Sequence, residues 1–182
     1  MVDFTNKKIV VFGVQGSGKS HLVKKYILPR IRRGIVFDTL GEYQEFPRYV
    51  PKSRNKDGIP ELELFITYAI TNKYSMIVVD EANRYMLPKP IPLPEQVSYL
   101  NDFQLHIPIS FLCIARRPVQ LNTDITELAH YIVCFNLAGK NDISYLNDLT
   151  DGLGDSVAQL QEHEFIVAGL PRQNYQKFPP VE

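Results

Sequence analysis

Apolar residues along this chain follow two periods. Five short runs are almost continuously apolar: residues 8–12 (KIVVF), 35–38 (IVFD), 76–80 (MIVVD), 109–115 (ISFLCIA) and 131–137 (YIVCFNL). Runs of this length predict strands buried on both faces. Between them the spacing changes to that of helices. Leu22, Val23, Tyr26 and Ile27 share one helical face, which Pro29 and Gly34 bring to an end. Leu62, Phe65, Ile66, Ala69 and Ile70 form a second stripe, and Val97, Leu100 and Phe103 begin a third. Ile143 and Leu146 predict a short helix after Gly139. Strands alternating with amphipathic helices predict a parallel sheet covered by helices.

Three stretches break the alternation. Residues 44–60 are polar and punctuated by Pro47, Pro51 and Gly58, and read as an irregular excursion. Residues 87–94 contain Pro88, Pro90, Pro92 and Pro94, which a helix interior or central strand does not accommodate, so a stiff exposed loop is expected. Residues 164–168 and 175–178 predict two late strands, candidates for antiparallel pairing. No internal repeat is visible, and 182 residues suit one α/β domain spanning residues 1–182.

The first strand runs into Gly13-Val14-Gln15-Gly16-Ser17-Gly18-Lys19-Ser20, which matches G-x-x-x-x-G-K-[ST] at every required position. Glycines allow consecutive backbone N–H groups to turn inward on phosphate oxygens. The helix that follows adds unpaired donors and a favourable dipole. Lys19 is expected on the β- and γ-phosphates of ATP and the Ser20 hydroxyl on Mg²⁺. His21, in the same first turn, is a candidate for the nucleotide's edge; a plain surface histidine is the alternative.

The third strand ends in Asp80-Glu81. Open α/β sheets present ligand-binding groups at the C-terminal ends of their strands. Asp80 is the expected Mg²⁺ partner and Glu81 the carboxylate that polarises an attacking water. A turn-capping role is the alternative for Glu81.

Charge and cysteine content narrow the picture. Twenty basic residues balance twenty acidic ones, so no global field draws nucleic acid or membrane to the monomer. A local basic patch remains compatible. Lys24, Lys25, Arg30, Arg32 and Arg33 form such a run, which a solvated helix end explains better than a DNA-facing patch. Cys113 and Cys134 lie in apolar runs and are expected as buried thiols. The opening residues lack a signal-peptide pattern and no apolar run is long enough to cross a bilayer, so no membrane insertion and a cytoplasmic location are expected. His106, His130 and His163 show no metal-ligand spacing.

Three further segments carry a resemblance. Asp38-Thr39-Leu40-Gly41-Glu42-Tyr43 is similar to the D-x-x-G-E-Y segment of HerA/FtsK-type DNA-pumping ATPases. Asp80-Glu81-Ala82-Asn83-Arg84 is similar to their D-E-A-[HN]-R stretch, and Ala115-Arg116-Arg117-Pro118 to their T-Q-R-P segment. Viral genome-packaging ATPases and Zot-like phage assembly proteins belong to this broad group, and this chain's small size resembles the packaging ATPases. The resemblance implies a three-layer, RecA/ASCE-like P-loop NTPase fold with a mainly parallel sheet, the fourth strand lying between the first and third. It implies a homo-oligomeric ring, a hexamer among the options, that hydrolyses ATP with Mg²⁺ and moves double-stranded DNA, with capsid or portal proteins as further partners.

Rings of this kind commonly insert an arginine from the neighbouring subunit at the γ-phosphate, and Arg84, Arg116 and Arg117 are the candidates by position, with a solvated or phosphate-distant surface arginine as the alternative for each. Arg116 also marks a departure, because the family places a glutamine sensor there. Two other readings are a Zot-like assembly ATPase and a small-molecule or nucleotide kinase. Glu81 beside Asp80 suits water activation better than a kinase, which excludes water. A nucleotide-binding scaffold with little turnover is a fourth.

Overall fold

The computed structural model describes residues 3–103, 107–172 and 174–181; His106 lies outside them. Its strands are β1 (Lys8–Phe12), β2 (Gly34–Phe37), β3 (Arg48–Tyr49), β4 (Met76–Val79), β5 (Ser110–Ala115), β6 (Tyr131–Phe135), β7 (Phe165–Gly169) and β8 (Tyr175–Phe178). They form one sheet in the order β3-β2-β4-β5-β1-β6-β7-β8. The first six in space are joined by parallel pairings, and β7 and β8 add on antiparallel. β5 lies between β1 and β4, as the resemblance implies.

The apolar runs are continuous because both faces of the sheet are covered. Val10 and Phe12 of β1 join one core, with Ile77 and Val79 of β4. Ile9 and Val11 join the other, with Met76 and Val78. The first core takes Leu62, Phe65, Ile66 and Ala69 from α2 (Ile59–Thr71) and Val97 and Leu100 from α3 (Glu95–Phe103). α4 (Thr123–Glu127), α5 (Lys140–Leu149) and α6 (Leu153–Ala158) close the same face with Ile125, Leu146, Leu153 and Val157. The second core is closed by Leu22, Val23, Ile27 and Leu28. These come from α1 (Lys19–Leu22), which continues as a π-helical stretch, Val23–Ile27, and a 3-10 turn, Leu28–Arg30. Cys113 and Cys134 are buried free thiols, whose burial pushes both pKa values up.

Three expectations change in detail. The 44–60 excursion contains β3, which pairs with β2 through Val36 N to Pro47 O (2.9 Å) and Asp38 N to Tyr49 O (2.8 Å). Phe103, placed on the inner face of its helix by spacing, is half exposed because the chain's contact with the core ends at Leu100 and Asn101. α4 and α6 had no counterpart in the apolar pattern. The proline-rich 87–94 segment is an irregular loop with Lys89 to Pro92 exposed, as its composition requires. Among the described residues no helix is long and apolar enough to cross a membrane.

Candidate active site

The loop after β1 is built around glycines that nothing else replaces. A Cβ on Gly13 would lie 2.5 Å from Ser17 Oγ and 2.8 Å from Phe135 Cβ, so the loop closes onto β6 only without one. Gly16 and Gly18 have φ of 79° and 105°, in the left-handed region that favours glycine. Gly18 leads directly into α1. Lys19 then folds back over the loop, and its Nζ donates to Val14 O at 2.7 Å. Burial lowers the Lys19 pKa, while the charges of Glu81 and Asp80 work against that shift.

Next to this loop lies a cleft of about 440 Å³. Gln15, Gly16, Gly18, Lys19, Ser20 and His21 line one side. Asp80, Glu81 and Arg116 line the other, at the C-terminal ends of β4 and β5. Gly13 and Ser17 sit beneath the loop as its packing support, and Ser17 Oγ is buried without a hydrogen-bond partner.

Asp80 is 2% exposed, and its Oδ2 has no hydrogen-bond partner. Its pKa is raised to about 7, first by burial and then by the nearby charges of Glu81, Glu42 and Asp38. A buried carboxylate with a free oxygen, surrounded by other carboxylates, is short of positive charge. Lys19 beside it supplies one cation, and a divalent ion would fit the remainder. No group of three or more His, Cys, Asp or Glu among the described residues forms a complete metal cage.

Glu81 adopts φ 51° and ψ 41°, a left-handed conformation rare outside glycine and asparagine. Two guanidinium groups hold its side chain. Arg116 Nε lies 2.9 Å from Oε2 and 3.1 Å from Oε1, and Arg84 Nε lies 3.3 Å from Oε2. Arg84 and Arg117 do not line the main cleft. They border an adjoining hollow of about 400 Å³, together with Asn83 and Gln120, and Arg116 and Glu81 form the wall between the two. Arg117 Nε is bound at 2.7 Å to Asp142, a buried carboxylate in the first turn of α5.

The Asp38 segment is an organiser. Asp38 is fully buried and accepts from Gly41 N (2.8 Å), Glu42 N (2.9 Å), Tyr43 N (3.0 Å) and Arg48 Nη1 (2.8 Å). One carboxylate thereby shapes the loop that brings Leu40 and Glu42 to the cleft wall. Thr39 Oγ1 donates to Asp80 O at 2.7 Å, which fixes that loop to the end of β4.

Sequence reasoning missed the far end of the cleft. Phe135, His163, Pro180 and Val181 complete its lining. His163 has φ 61°, and its Nδ1 sits 3.2 Å from Ser17 O. Nothing in the sequence signals this approach, because 146 residues separate the two and only the antiparallel turn before β7 brings them together.

No protein-family model matches the chain, and no curated protein matches it. Solved structures do. The genome packaging NTPase B204 from Sulfolobus turreted icosahedral virus 2, in complex with AMPPCP, superposes with a TM-score of 0.84 at 16% identity, covering 97% of this chain and 98% of that one. B204 described as the DNA-packaging ATPase from Sulfolobus turreted icosahedral virus gives 0.84 at 17% identity over 99% and 100%. The N-terminal domain of zonular occludens toxin from Neisseria meningitidis gives 0.57 at 14% identity over 97% and 95%. The chain has the P-loop NTPase fold: an α/β, mainly parallel sheet with helices on both faces.

Proposed function

We propose that this protein is an Mg²⁺-dependent ATPase that moves double-stranded DNA, packaging a viral genome as a homo-oligomeric ring. The observation that carries the reading is convergence: the glycine loop, Lys19, Ser20, Asp80, Glu81 and Arg116 surround one cleft of about 440 Å³. The loop amides and Lys19 would bind the phosphates of ATP. Ser20 and Asp80 would hold Mg²⁺, whose chemistry is to neutralise charge on the β- and γ-phosphate oxygens. Glu81 would orient a water and accept its proton, provided Arg84 and Arg116 loosen their hold. Arg116, within the same subunit, would release Glu81 and stabilise charge on the γ-phosphate.

The DNA-packaging part of the reading draws on the whole-length likeness to the genome packaging NTPase B204 and on the D-x-x-G-E-Y and D-E-A segments. The likeness to the zonular occludens toxin domain is looser, at 0.57. Interaction with capsid or portal proteins, and work in the host cytoplasm or in association with the virion, follow from the same reading. A direct test measures phosphate release from ATP, with and without Mg²⁺ and duplex DNA, alongside the mass of the particle in solution. Mg²⁺-dependent release, stimulated by DNA in an oligomer, is expected. A monomer under all conditions with DNA-insensitive hydrolysis would end the motor reading.

A further inference from the structure

Outside the cleft, residues 52–56 expose Lys52, Arg54 and Lys56. The backbone beneath them is well fixed. Glu61, in the first turn of α2, accepts from Lys52 N (3.0 Å) and Ser53 N (3.2 Å). Asn55 accepts from Asp57 N at 2.8 Å. Gly58 packs so closely that a Cβ there would lie 2.3 Å from Ser53 O. The three cations are therefore presented on a preorganised support. Among the described residues none of them forms an ion pair, and the oxygens of Glu61 are occupied by Tyr49 and the two amides.

A second observation ties this segment to the cleft. Arg84 Nη1 donates to Arg54 O at 3.0 Å, and Arg84 Nε lies 3.3 Å from Glu81 Oε2. One guanidinium thus joins the cationic segment's main chain to the carboxylate beside the phosphate loop.

We propose that Lys52, Arg54 and Lys56 form a docking surface for the phosphate backbone of double-stranded DNA, and that Arg84 transmits its occupancy to Glu81. The inference rests on the ATPase-motor reading above. Three exposed cations on this support, none of them in an ion pair among the described residues, suit a polyanion, whose bound counterions they displace. Backbone contacts of this kind carry no sequence preference, which suits a protein that must grip every stretch of a genome. A phosphate held at Arg54 attracts the neighbouring Arg84 guanidinium, which is shared between Arg54 O and Glu81, and the grip on Glu81 changes. A partner docked outside the cleft can in this way alter the freedom of the carboxylate proposed to activate water.

The test compares the full chain with two variants. Lys52→Ala/Arg54→Ala/Lys56→Ala removes the cations and keeps the Arg54 carbonyl. It is expected to hydrolyse ATP without DNA at the parent's rate and to lose stimulation by duplex DNA. The salt dependence of its duplex binding (log K against log salt) should become shallower by about 2.7, at roughly 0.9 per lost phosphate contact. Arg84→Lys keeps a charge but cannot bridge Glu81 and Arg54 O together. It is expected to bind duplex DNA with the parent's salt slope and to respond to it at least tenfold less. A triple variant stimulated as strongly as the parent, with an unchanged salt slope, would overturn the docking surface while leaving the motor intact. A parent that hydrolyses ATP but neither binds nor responds to duplex DNA would instead remove the motor reading itself. Stimulation by single-stranded RNA in place of duplex DNA would overturn the choice of partner.

Discussion

Arg116 Nε sits 2.9 Å from Glu81 Oε2, so the carboxylate proposed to activate water is paired with a guanidinium from the end of the next strand. The pair shares the wall between the cleft and the arginine-lined hollow. Arg116 pairs with Glu81 in this state, and on the proposed function it would exchange that partner for the γ-phosphate once a triphosphate enters. Arg84 reaches Glu81 only from the hollow side. Arg116→Ala is expected to lower the turnover number by about 10³-fold or more, in the range of arginines that stabilise phosphoryl transfer. Arg84→Ala should cost at least tenfold less in basal turnover. Single-turnover phosphate release from both variants decides this, and equal losses would contradict the assignment.

Asp80 links the site to pH. Its pKa is 3.8 as an ordinary side chain and about 7 in the fold, so the folded protein binds the extra proton between those values. Stability from this group is complete below the lower value and is lost as pH rises through about 7. The nucleotide-free protein should melt at a lower temperature at pH 8 than at pH 5.5, and Asp80→Asn should flatten that difference. Protons and Mg²⁺ should also compete, with the Mg²⁺ concentration required rising by roughly tenfold per pH unit below about 7. Melting curves and Mg²⁺ titrations across pH 5.5–8.5 check both; identical profiles for wild type and Asp80→Asn would count against them.

Lys19 is held by Val14 O with its charge next to Asp80 and Glu81. Lys19→Ala is expected to weaken ATP binding by roughly 10–100-fold, the worth of one hydrogen bond to a charged group, about 1.5–3 kcal/mol. Isothermal titration reads the change directly. Binding within twofold of wild type would place the phosphates elsewhere.

Arg117 has a different task from Arg116, although they are adjacent. Its Nε holds Asp142, whose side chain is 2% exposed, and the Gly139 backbone packs against both partners. Arg117→Ala should destabilise the fold by about 1–3 kcal/mol by leaving a buried carboxylate short of a donor. Gly139→Ala should also destabilise it, since its Cβ would meet Asp142 Oδ2 at 2.6 Å. Denaturant melts compare the two. An Arg117→Ala protein that is fully stable but inactive would move Arg117 into the chemistry.

The strands were legible because a sheet covered on both faces needs uninterrupted apolar runs, and Ile9 through Phe12 supply one. The phosphate loop was legible because its geometry demands glycine at fixed spacing. β3 was not: Arg48 and Tyr49 are polar or amphipathic, and their pairing depends on Asp38, ten residues earlier, holding Arg48. α4 and α6 are too short to show a period; α4 begins where Asn122 accepts from Asp124 N, a local bond with no apolar signature. The three arginines looked equivalent as positions after strands. Their separation into one cleft residue and two hollow residues comes from Glu81 and Asp142, which only tertiary packing brings to them. The His163 approach to Ser17 O depends on the antiparallel return of the chain, which no local pattern reports.

The central claim is that Glu81 activates water beside a triphosphate held by the loop, Lys19 and Asp80. Phosphate release by Glu81→Gln under saturating ATP and Mg²⁺, with ATP affinity measured on the same protein, tests it most directly. ATP affinity within severalfold of wild type and turnover lowered by about 10²–10⁴-fold, the usual contribution of a positioned general base, are expected. Unchanged turnover in Glu81→Gln would contradict it.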